Sequence, residues 1–275
     1  MERVRCRLDG GVADVRLNRP DKLNALDDAM FAELIEVGER LREEPGLRAV
    51  VLSGEGRAFC AGLDFAAFEA QADARPWRPE DVERTDAGEP GDTDGFGIPG
   101  LLLGRGQKAV WVWQVLEVPV IAAVRGFALG GGLQLALGAD IRLVTADARL
   151  GVLEMEWGMT PDMCGTQILP RLVGLDVAKE LTLTARKVTG EEAVRIGLAT
   201  RVCEDPLQEA LSMAARIAER NPDAVRAAKG MLNRAWDGEA MKSGFRAERV
   251  FMERNVGSPR QREAARTRLR ASERR

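Results

Sequence analysis

The stretch of sequence that decides the fold runs from Phe127 to Gly138 and reads FALGGGLQLALG. The apolar run from Val118 to Val124 before it predicts a buried strand, and the residues after Gly132 follow a helical pattern. A glycine turn between a strand and a helix leaves backbone N–H groups unpaired and lets a ligand approach the main chain closely. The stretch therefore indicates a site for phosphate, carboxylate or an oxygen that becomes negative during a reaction, or else a tight turn whose glycines serve packing alone.

The composition excludes several classes of protein. The 275 residues suffice for one large domain or for a core with a smaller appendage. The net charge of −3 argues against a protein that binds nucleic acid through bulk positive charge. No apolar run is long enough to span a bilayer, and the N-terminus lacks the apolar segment of a signal peptide. We expect a cytoplasmic protein that binds neither nucleic acid nor membrane.

Histidine and tyrosine are both absent from the sequence. Their absence excludes Ser-His-Asp and Cys-His catalysis, His-ligated metal sites and a tyrosine general acid, and we predict no metal site. The cysteines at 6, 60, 164 and 203 are far apart, so we expect free thiols. With no histidine to activate Cys60 or Cys164, a covalent cysteine mechanism is disfavoured. Acid–base chemistry must therefore rest on carboxylates, lysine or cysteine.

The order of the predicted elements is typical of an α/β protein. Strands at 3–8 and 12–17 are joined by a glycine turn, and a helix capped by Asp27 or Asp28 runs to about residue 44. Further strands are predicted at 47–52, 118–124, 140–144, 149–153 and 199–203, and further helices at 107–116, 130–138, 164–172 and 176–184.

A change in composition near residue 204 divides the chain into two predicted regions. Residues 1–203 form the core, in which 71–107 contain seven glycines and four prolines and predict a flexible loop. Residues 204–275 are predicted to be all helical, with starts at Pro206, Pro222, Asp237 and Ser258. Apolar faces that include Leu207, Leu211 and Ala214 are too large for a small tail to bury alone, which predicts an oligomer interface.

Several motifs occur together in an order and at a spacing that point to one family. They are NRPDKLNAL (18–26), AFCAGLD (58–64), GFALGGGLQLA (126–136), ADIR (139–142), Glu154 with Pro161-Asp162, and GLATRV (197–202). The combination resembles the crotonase superfamily, which is the enoyl-CoA hydratase/isomerase family, over nearly the whole chain except 71–107.

The resemblance implies a fold, a substrate and an assembly. The implied fold is a spiral of repeated β-β-α units, followed by a helical C-terminal region. The implied substrate is an acyl-CoA thioester, with no cofactor beyond the coenzyme A that the substrate carries. The implied assembly is a homotrimer or a homohexamer, with the region 204–275 at its interface.

The resemblance gives both glycine connections, 53–64 and the turn at Gly130–Gly132, a role in one site. In this family two backbone N–H groups bind the thioester oxygen as the substrate becomes an enolate, and by motif position they belong to Leu63 and Gly131. Losing one donor of such an oxyanion hole typically costs about 10²–10³ in rate. The positions that match the family's coenzyme A site are Lys22, Leu23, Ala25, Ala61 and Asp64, although Lys22 could equally be an exposed loop lysine and Asp64 a helix cap.

The catalytic positions depart from those of the family's hydratases, which carry two glutamates. The first position is Gln134 here, and an amide cannot give or take a proton at neutral pH although it can form hydrogen bonds. The second position is retained as Glu154, whereas Glu156 would share its face only in an extended segment. Asp162 stands where the dienoyl-CoA isomerases carry an aspartate, or it caps a helix after Pro161.

This set of residues favours isomerisation over hydration. Glu154 would carry the proton, with Asp162 as its partner and Gln134 as a neutral orienter, since a double-bond shift needs only one carboxylate. Two alternatives stay open: addition of water to a 2-enoyl-CoA, and a catalytically weak subunit that only binds a CoA thioester.

Overall fold

The computed structural model describes residues 2–64 and 103–235. The strands within this part of the chain are β1 (Val4–Asp9), β2 (Val12–Leu17), β3 (Ala49–Gly54), β4 (Val120–Val124), β5 (Phe127–Leu129), β6 (Ile141–Val144), β7 (Arg149–Gly151), β8 (Val188–Thr189) and β9 (Arg201–Val202). The helices are α1 (Asp28–Arg42), α2 (Arg105–Gln114), α3 (Gly131–Leu137), α4 (Gly165–Val173), α5 (Leu175–Thr184), α6 (Gly190–Arg195), α7 (Pro206–Ala218) and α8 (Pro222–Arg234). Short 3₁₀ helices cover Pro20–Lys22 and Glu154–Trp157.

The elements repeat in the order strand, strand, helix, as predicted. Units of this kind are β1-β2-α1, β4-β5-α3 and β6-β7-α4. In the second and third units the first strand joins a six-stranded sheet and the second strand joins a three-stranded sheet. The chain therefore passes from one sheet to the other within each of these two units.

The large sheet has the strand order β1-β2-β3-β4-β6-β9. Its β1 and β2 are antiparallel, and every later pair is parallel. All five residues of β4 are buried, as expected for a strand in a parallel sheet that is covered on both faces. The small sheet has the order β5-β7-β8.

Helix α1 covers one side of the core as its pattern predicts. The side chain of Asp27 accepts the N–H of Met30 and caps the helix. Met30 and Leu34 are fully buried, and Val37 and Leu41 are nearly so. Helix α2 packs against α1 so closely that a Cβ on Gly38 would stand 2.3 Å from Cγ2 of Val112.

Helix α7 covers the opposite face of the large sheet. Ala210 and Ala214 are buried, and Leu207 and Leu211 pack beside them. The sheet residues of this cluster are Ala49, Val51, Ile121, Ala123 and Leu143. The chain's own sheet buries Ala210 and Ala214 and partly buries Leu207 and Leu211, so the apolar face of α7 does not by itself require a second subunit, and the interface predicted for 204–275 stays a prediction.

Several element boundaries differ from those predicted. The three residues after Gly126 form strand β5, which was not predicted from the sequence. The segment after Leu153 is a 3₁₀ helix and not an extended strand, and Glu156 is exposed on it. Helix α2 begins at Arg105, so the predicted loop 71–107 ends in a helix, and its residues 71–102 lie outside the described residues.

The predicted helix starts at Pro206 and Pro222 are confirmed, whereas the predicted starts at Asp237 and Ser258 lie outside the described residues. No helix in the described ranges is both long and apolar enough to cross a membrane.

Candidate active site

The glycine turn (Gly130–Gly132) joins β5 to α3. The N–H of Gly130 donates to the carbonyl of Gly151 at 2.8 Å and ties the turn to β7. Gly131 is the first residue of α3, so no helical carbonyl precedes its N–H. Within 2–64 and 103–235 this N–H finds no hydrogen-bond partner.

The N–H of Leu63 points away from the segment with which Leu63 pairs. The N–H of Leu26 donates to the carbonyl of Gly62 at 2.8 Å, and the N–H of Asp64 donates to the carbonyl of Leu26 at 3.0 Å. These bonds use groups on either side of Leu63, whose own N–H therefore faces away from Leu26. No acceptor for it occurs in the part of the chain that the structure describes.

The two segments lie side by side. Cys60 bridges β5, since its N–H donates to Phe127 at 2.9 Å and its carbonyl accepts from Leu129 at 3.1 Å. Gly62 has a φ of +97°, and a Cβ on it would stand 2.6 Å from the Leu129 oxygen and 3.7 Å from the Gly131 nitrogen. The structure therefore brings together the segments that carry the N–H groups of Leu63 and Gly131, and a ligand oxygen could accept from both.

Gln134 connects this turn to the predicted base. Its Nε2 donates to Oε1 of Glu154 at 2.6 Å. Its Oε1 accepts the backbone N–H groups of Met163 at 2.9 Å and Gly165 at 3.0 Å. Because the amide oxygen must face two N–H donors, the NH₂ group is the end that faces the carboxylate.

The side chain of Glu154 is buried, and 7% of the residue's surface is exposed. Its Oε2 has no hydrogen-bond partner among the described residues. A Cβ on Gly130 would stand 3.5 Å from Oε1, so the carboxyl group lies next to the glycine turn. Burial raises the pKa of Glu154 above its ordinary value, the hydrogen bond from Gln134 opposes this change, and the charge of Asp162 adds to it.

Asp162 is exposed, yet it is close enough for its charge to act on Glu154. Partial desolvation raises the pKa of its own carboxyl group. Helix α4 begins at Gly165 with Cys164 as its N-cap residue, and no side chain caps it. The alternative interpretation of Asp162 as a helix cap is therefore wrong.

The residues predicted to contact coenzyme A lie on segments next to Leu63. Lys22 is exposed on the first 3₁₀ helix, and Leu23 after it has a φ of +51°. The N–H of Ala61 donates to the carbonyl of Leu23 at 2.9 Å, and Ala25 is buried. These four residues thus belong to two adjoining segments.

Asp64, the fifth residue predicted to contact coenzyme A, forms a short ion pair with Arg19. The Nη1 atom of Arg19 also donates to the carbonyl of Ala25 at 3.2 Å, which links the two segments. Asn24 is fully buried and donates to the carbonyls of Glu55 and Ala58. Sequence reasoning missed both roles, although both residues stand in the NRPDKLNAL motif.

The cysteines near the site are not suited to act as nucleophiles. Burial raises the pKa of Cys60 to about 12 and that of Cys164 to about 11, so both are thiols at neutral pH. All four cysteines are free, as predicted. In the two described ranges, no three Cys, Asp or Glu side chains are grouped so that they could hold a metal ion.

Comparison with known proteins gives concordant results. The profile of the family described as enoyl-CoA hydratase/isomerase matches residues 7–84 and 105–268. The chain is 37% identical over 229 residues to the short-chain-enoyl-CoA hydratase of Clostridium acetobutylicum, covering 82% of this chain and 79% of that one. It is 36% identical over 222 residues to a mitochondrial Delta(3,5)-Delta(2,4)-dienoyl-CoA isomerase of Rattus norvegicus, covering 79% and 64%. The structure of an enoyl-CoA hydratase from Bacillus anthracis superposes with a TM-score of 0.80 at 29% identity, covering 98% and 96%. These similarities confirm the fold that the motifs predict.

Proposed function

Because the chain belongs to the enoyl-CoA hydratase/isomerase family, we propose that it is an enzyme that shifts a double bond in an unsaturated acyl-CoA thioester. The observation that carries this proposal is the state of Glu154. One carboxylate oxygen accepts from Gln134, and the other has no partner among the described residues. A single buried base next to two N–H donors suits the removal and return of one proton.

The reaction begins when the thioester oxygen accepts hydrogen bonds from Leu63 and Gly131. These bonds stabilise the negative charge that reaches the oxygen as the α-carbon loses its proton. Oε2 of Glu154 takes that proton from C2 of a 3-enoyl group, and the electron pair of the broken C–H bond forms a dienolate. The same carboxyl group returns a proton at C4, which leaves the double bond between C2 and C3.

The environment of Glu154 suits both halves of this transfer. Because burial raises its pKa, the carboxylate is a stronger base than an exposed glutamate and its protonated form is not penalised by burial. A catalytic group is most effective when its pKa lies close to the working pH. Gln134 holds Oε1, so Oε2 is the oxygen that exchanges the proton.

The hydrogen bonds of Gln134 argue against efficient hydration. Both lone-pair positions of its Oε1 are used by Met163 and Gly165, and its NH₂ group donates to Glu154. The side chain therefore has no free acceptor with which to orient a water molecule for attack at C3. A glutamate at 134, as in the family's hydratases, would supply one.

Hydration of a 2-enoyl-CoA is the second candidate function. Its support is the identity to the Clostridium acetobutylicum protein, which is named as a hydratase. Asp162 is a further carboxylate whose charge raises the pKa of Glu154. A chain that only binds a CoA thioester is the third candidate, and it would not exchange α-protons of the bound ligand.

The proposal extends to ligand, assembly and location. Coenzyme A would lie along the two segments that carry Lys22, Leu23, Ala25, Ala61 and Asp64. Asp64 would contribute by holding Arg19 in place through their ion pair. No separate cofactor would be required. We expect a homotrimer or a homohexamer with the region 204–275 at its interface, acting in the cytoplasm. Light scattering that shows a stable monomer at micromolar concentration would count against this assembly.

A panel of acyl-CoA substrates in D₂O tests the proposed function. The wild-type protein should convert a 3-enoyl-CoA to the 2-enoyl form, incorporate deuterium and hydrate a 2-enoyl-CoA much more slowly. Rapid hydration without isomerisation would establish the second candidate. Binding of acyl-CoA with no isomerisation, no hydration and no deuterium exchange would establish the third.

A further inference from the structure

The side chain of Met163 is buried beside the candidate oxyanion hole. Only 6% of the residue is exposed, and its N–H donates to Oε1 of Gln134 at 2.9 Å. A Cβ on Gly131 would stand 3.0 Å from its Sδ atom and 3.7 Å from its Cε atom. The main chain of Met163 is therefore fixed by the same amide that orients Glu154, while its thioether lies against the glycine turn.

The same side chain also reaches helix α2. A Cβ on Gly106 would stand 2.9 Å from Cγ of Met163 and 3.7 Å from its Sδ. The thioether thus spans the gap between α2 and the glycine turn. Neither Gly106 nor Gly131 has a positive φ, so the backbone conformation does not require glycine at either position. The space that Met163 occupies gives a physical reason for the absence of a Cβ at both.

A bound thioester would place its acyl chain next to this side chain. If the thioester oxygen accepts from Gly131, the carbons that exchange a proton with Glu154 lie within a few bond lengths of the Met163 thioether. Leu26 narrows the space further, because its Cδ1 atom would stand 3.1 Å from the same Cβ on Gly131. The two side chains form one apolar wall beside the hole.

We propose that Met163 determines the acyl specificity of the enzyme by limiting the site to short, unbranched acyl groups. This inference rests on the proposed function and adds the substrate class to it. The thioether fills the space between α2 and the glycine turn, so it packs beside a short chain and leaves little room for further methylene groups at this wall. Truncation to alanine removes Cγ, Sδ and Cε, a volume comparable to that of roughly three methylene groups.

The test compares kcat/KM for enoyl-CoA substrates of four and eight carbons. Met163→Ala should raise the eight-carbon to four-carbon ratio by about tenfold or more, since one methylene in an apolar pocket changes discrimination by about 10–200-fold. Met163→Leu, which keeps the side-chain volume, should keep the wild-type ratio. Met213→Ala on α7 removes the same atoms from a half-buried methionine in the cluster that packs on the opposite face of the large sheet and should also leave the ratio unchanged.

Gly106→Ala gives a second, independent readout. The added methyl group would push the thioether towards the acyl chain and should lower kcat/KM most for the longest accepted substrate. In the Met163→Ala background the same change should have no such effect. An equal fall in kcat/KM for both chain lengths in Met163→Ala, together with a Gly106→Ala effect that persists without the thioether, would overturn the inference. A wild-type protein that moves no proton on any acyl-CoA would instead overturn the proposed function.

Discussion

The amide group of Gln134 donates a 2.6 Å hydrogen bond to Oε1 of Glu154, and this bond leaves Oε2 as the carboxylate oxygen available for proton transfer. The amide cannot turn around, because its oxygen accepts two backbone N–H groups. A residue that cannot itself exchange protons thereby selects which oxygen of its neighbour does so. Because position 134 is an amide, the site lacks the second carboxylate that hydratases of this family carry.

Substitution of Gln134 by glutamate should add hydration to the chemistry of the site. The new carboxylate would face Glu154 at the present distance of 2.6 Å, where two charges cannot coexist, so the pair should hold one proton near neutral pH. We expect the rate of water addition to a 2-enoyl-CoA to rise by about 10²-fold or more, as for a gained general acid–base group. Gln167→Glu on the exposed side of α4 is the matched control. An unchanged hydration rate would show that Gln134 is not what limits this reaction.

The stability of Glu154→Gln should differ from that of the wild type in a pH-dependent way. The pKa of Glu154 is raised above 4.5 in the folded chain, so the folded state binds this proton more tightly than the unfolded state does. The stabilisation that the wild type gains from this tighter proton binding is complete below pH 4.5 and is lost as the pH rises through the folded pKa. At pH 7 the variant should therefore be more stable than the wild type.

Urea unfolding at several pH values measures this difference. The advantage of Glu154→Gln should shrink as the pH falls and vanish below the pKa of an unfolded glutamate. The exposed Glu156→Gln should show no such trend. A wild-type protein that is more stable than Glu154→Gln at pH 7 would indicate that the ionised carboxylate is favourably paired.

The ion pair between Lys229 and Asp140 should be essential for docking α8. Nζ of Lys229 donates to Asp140 at 2.8 Å and to the carbonyls of Val118 at 3.0 Å and Trp113 at 3.4 Å, so all three protons are used. Lys229→Met removes the cation and leaves a largely buried carboxylate, which should lower the free energy of unfolding by about 3 kcal/mol.

A surface ion pair is the control for this loss. Arg125 and Asp205 are about half exposed, and Arg125→Ala should cost less than about 1 kcal/mol. The double variant Lys229→Met with Asp140→Asn should recover part of the stability, because no unpaired charge remains. Equal effects of Lys229→Met and Arg125→Ala would contradict the assigned role.

Much of the site could be predicted because its residues stand in local motifs. Leu63, Gly131, Gln134 and Glu154 were identified by matching motif positions to the family that the sequence resembles, and the structure brings their segments together. Helix α1 was equally readable, since its apolar period and its cap lie within one continuous segment. Local sequence therefore located the residues but not all of their contacts.

The remaining features depend on contacts between segments that are distant in sequence. Strand β5 has three residues, too few for a period, and is a strand because β7 and Cys60 pair with it. Sequence periodicity does not reveal the pairing of Arg19 with Asp64, nor the packing of Met163 between Gly106 and Gly131. The burial of the α7 face on the chain's own sheet was missed for the same reason, since amphipathicity shows that a face is covered but not what covers it.

The measurement that tests the account most directly is isomerisation of a 3-enoyl-CoA in D₂O by the wild type and by Glu154→Gln. The wild type should form the 2-enoyl product, and deuterium should enter C4 in those turnovers in which the Glu154 carboxyl exchanges its proton with solvent before returning it. The variant should lose about 10²–10⁴ in rate with little change in acyl-CoA affinity, because shape and hydrogen bonding persist while the base is gone. A Glu154→Gln protein that isomerises at the wild-type rate would show that another group carries the proton.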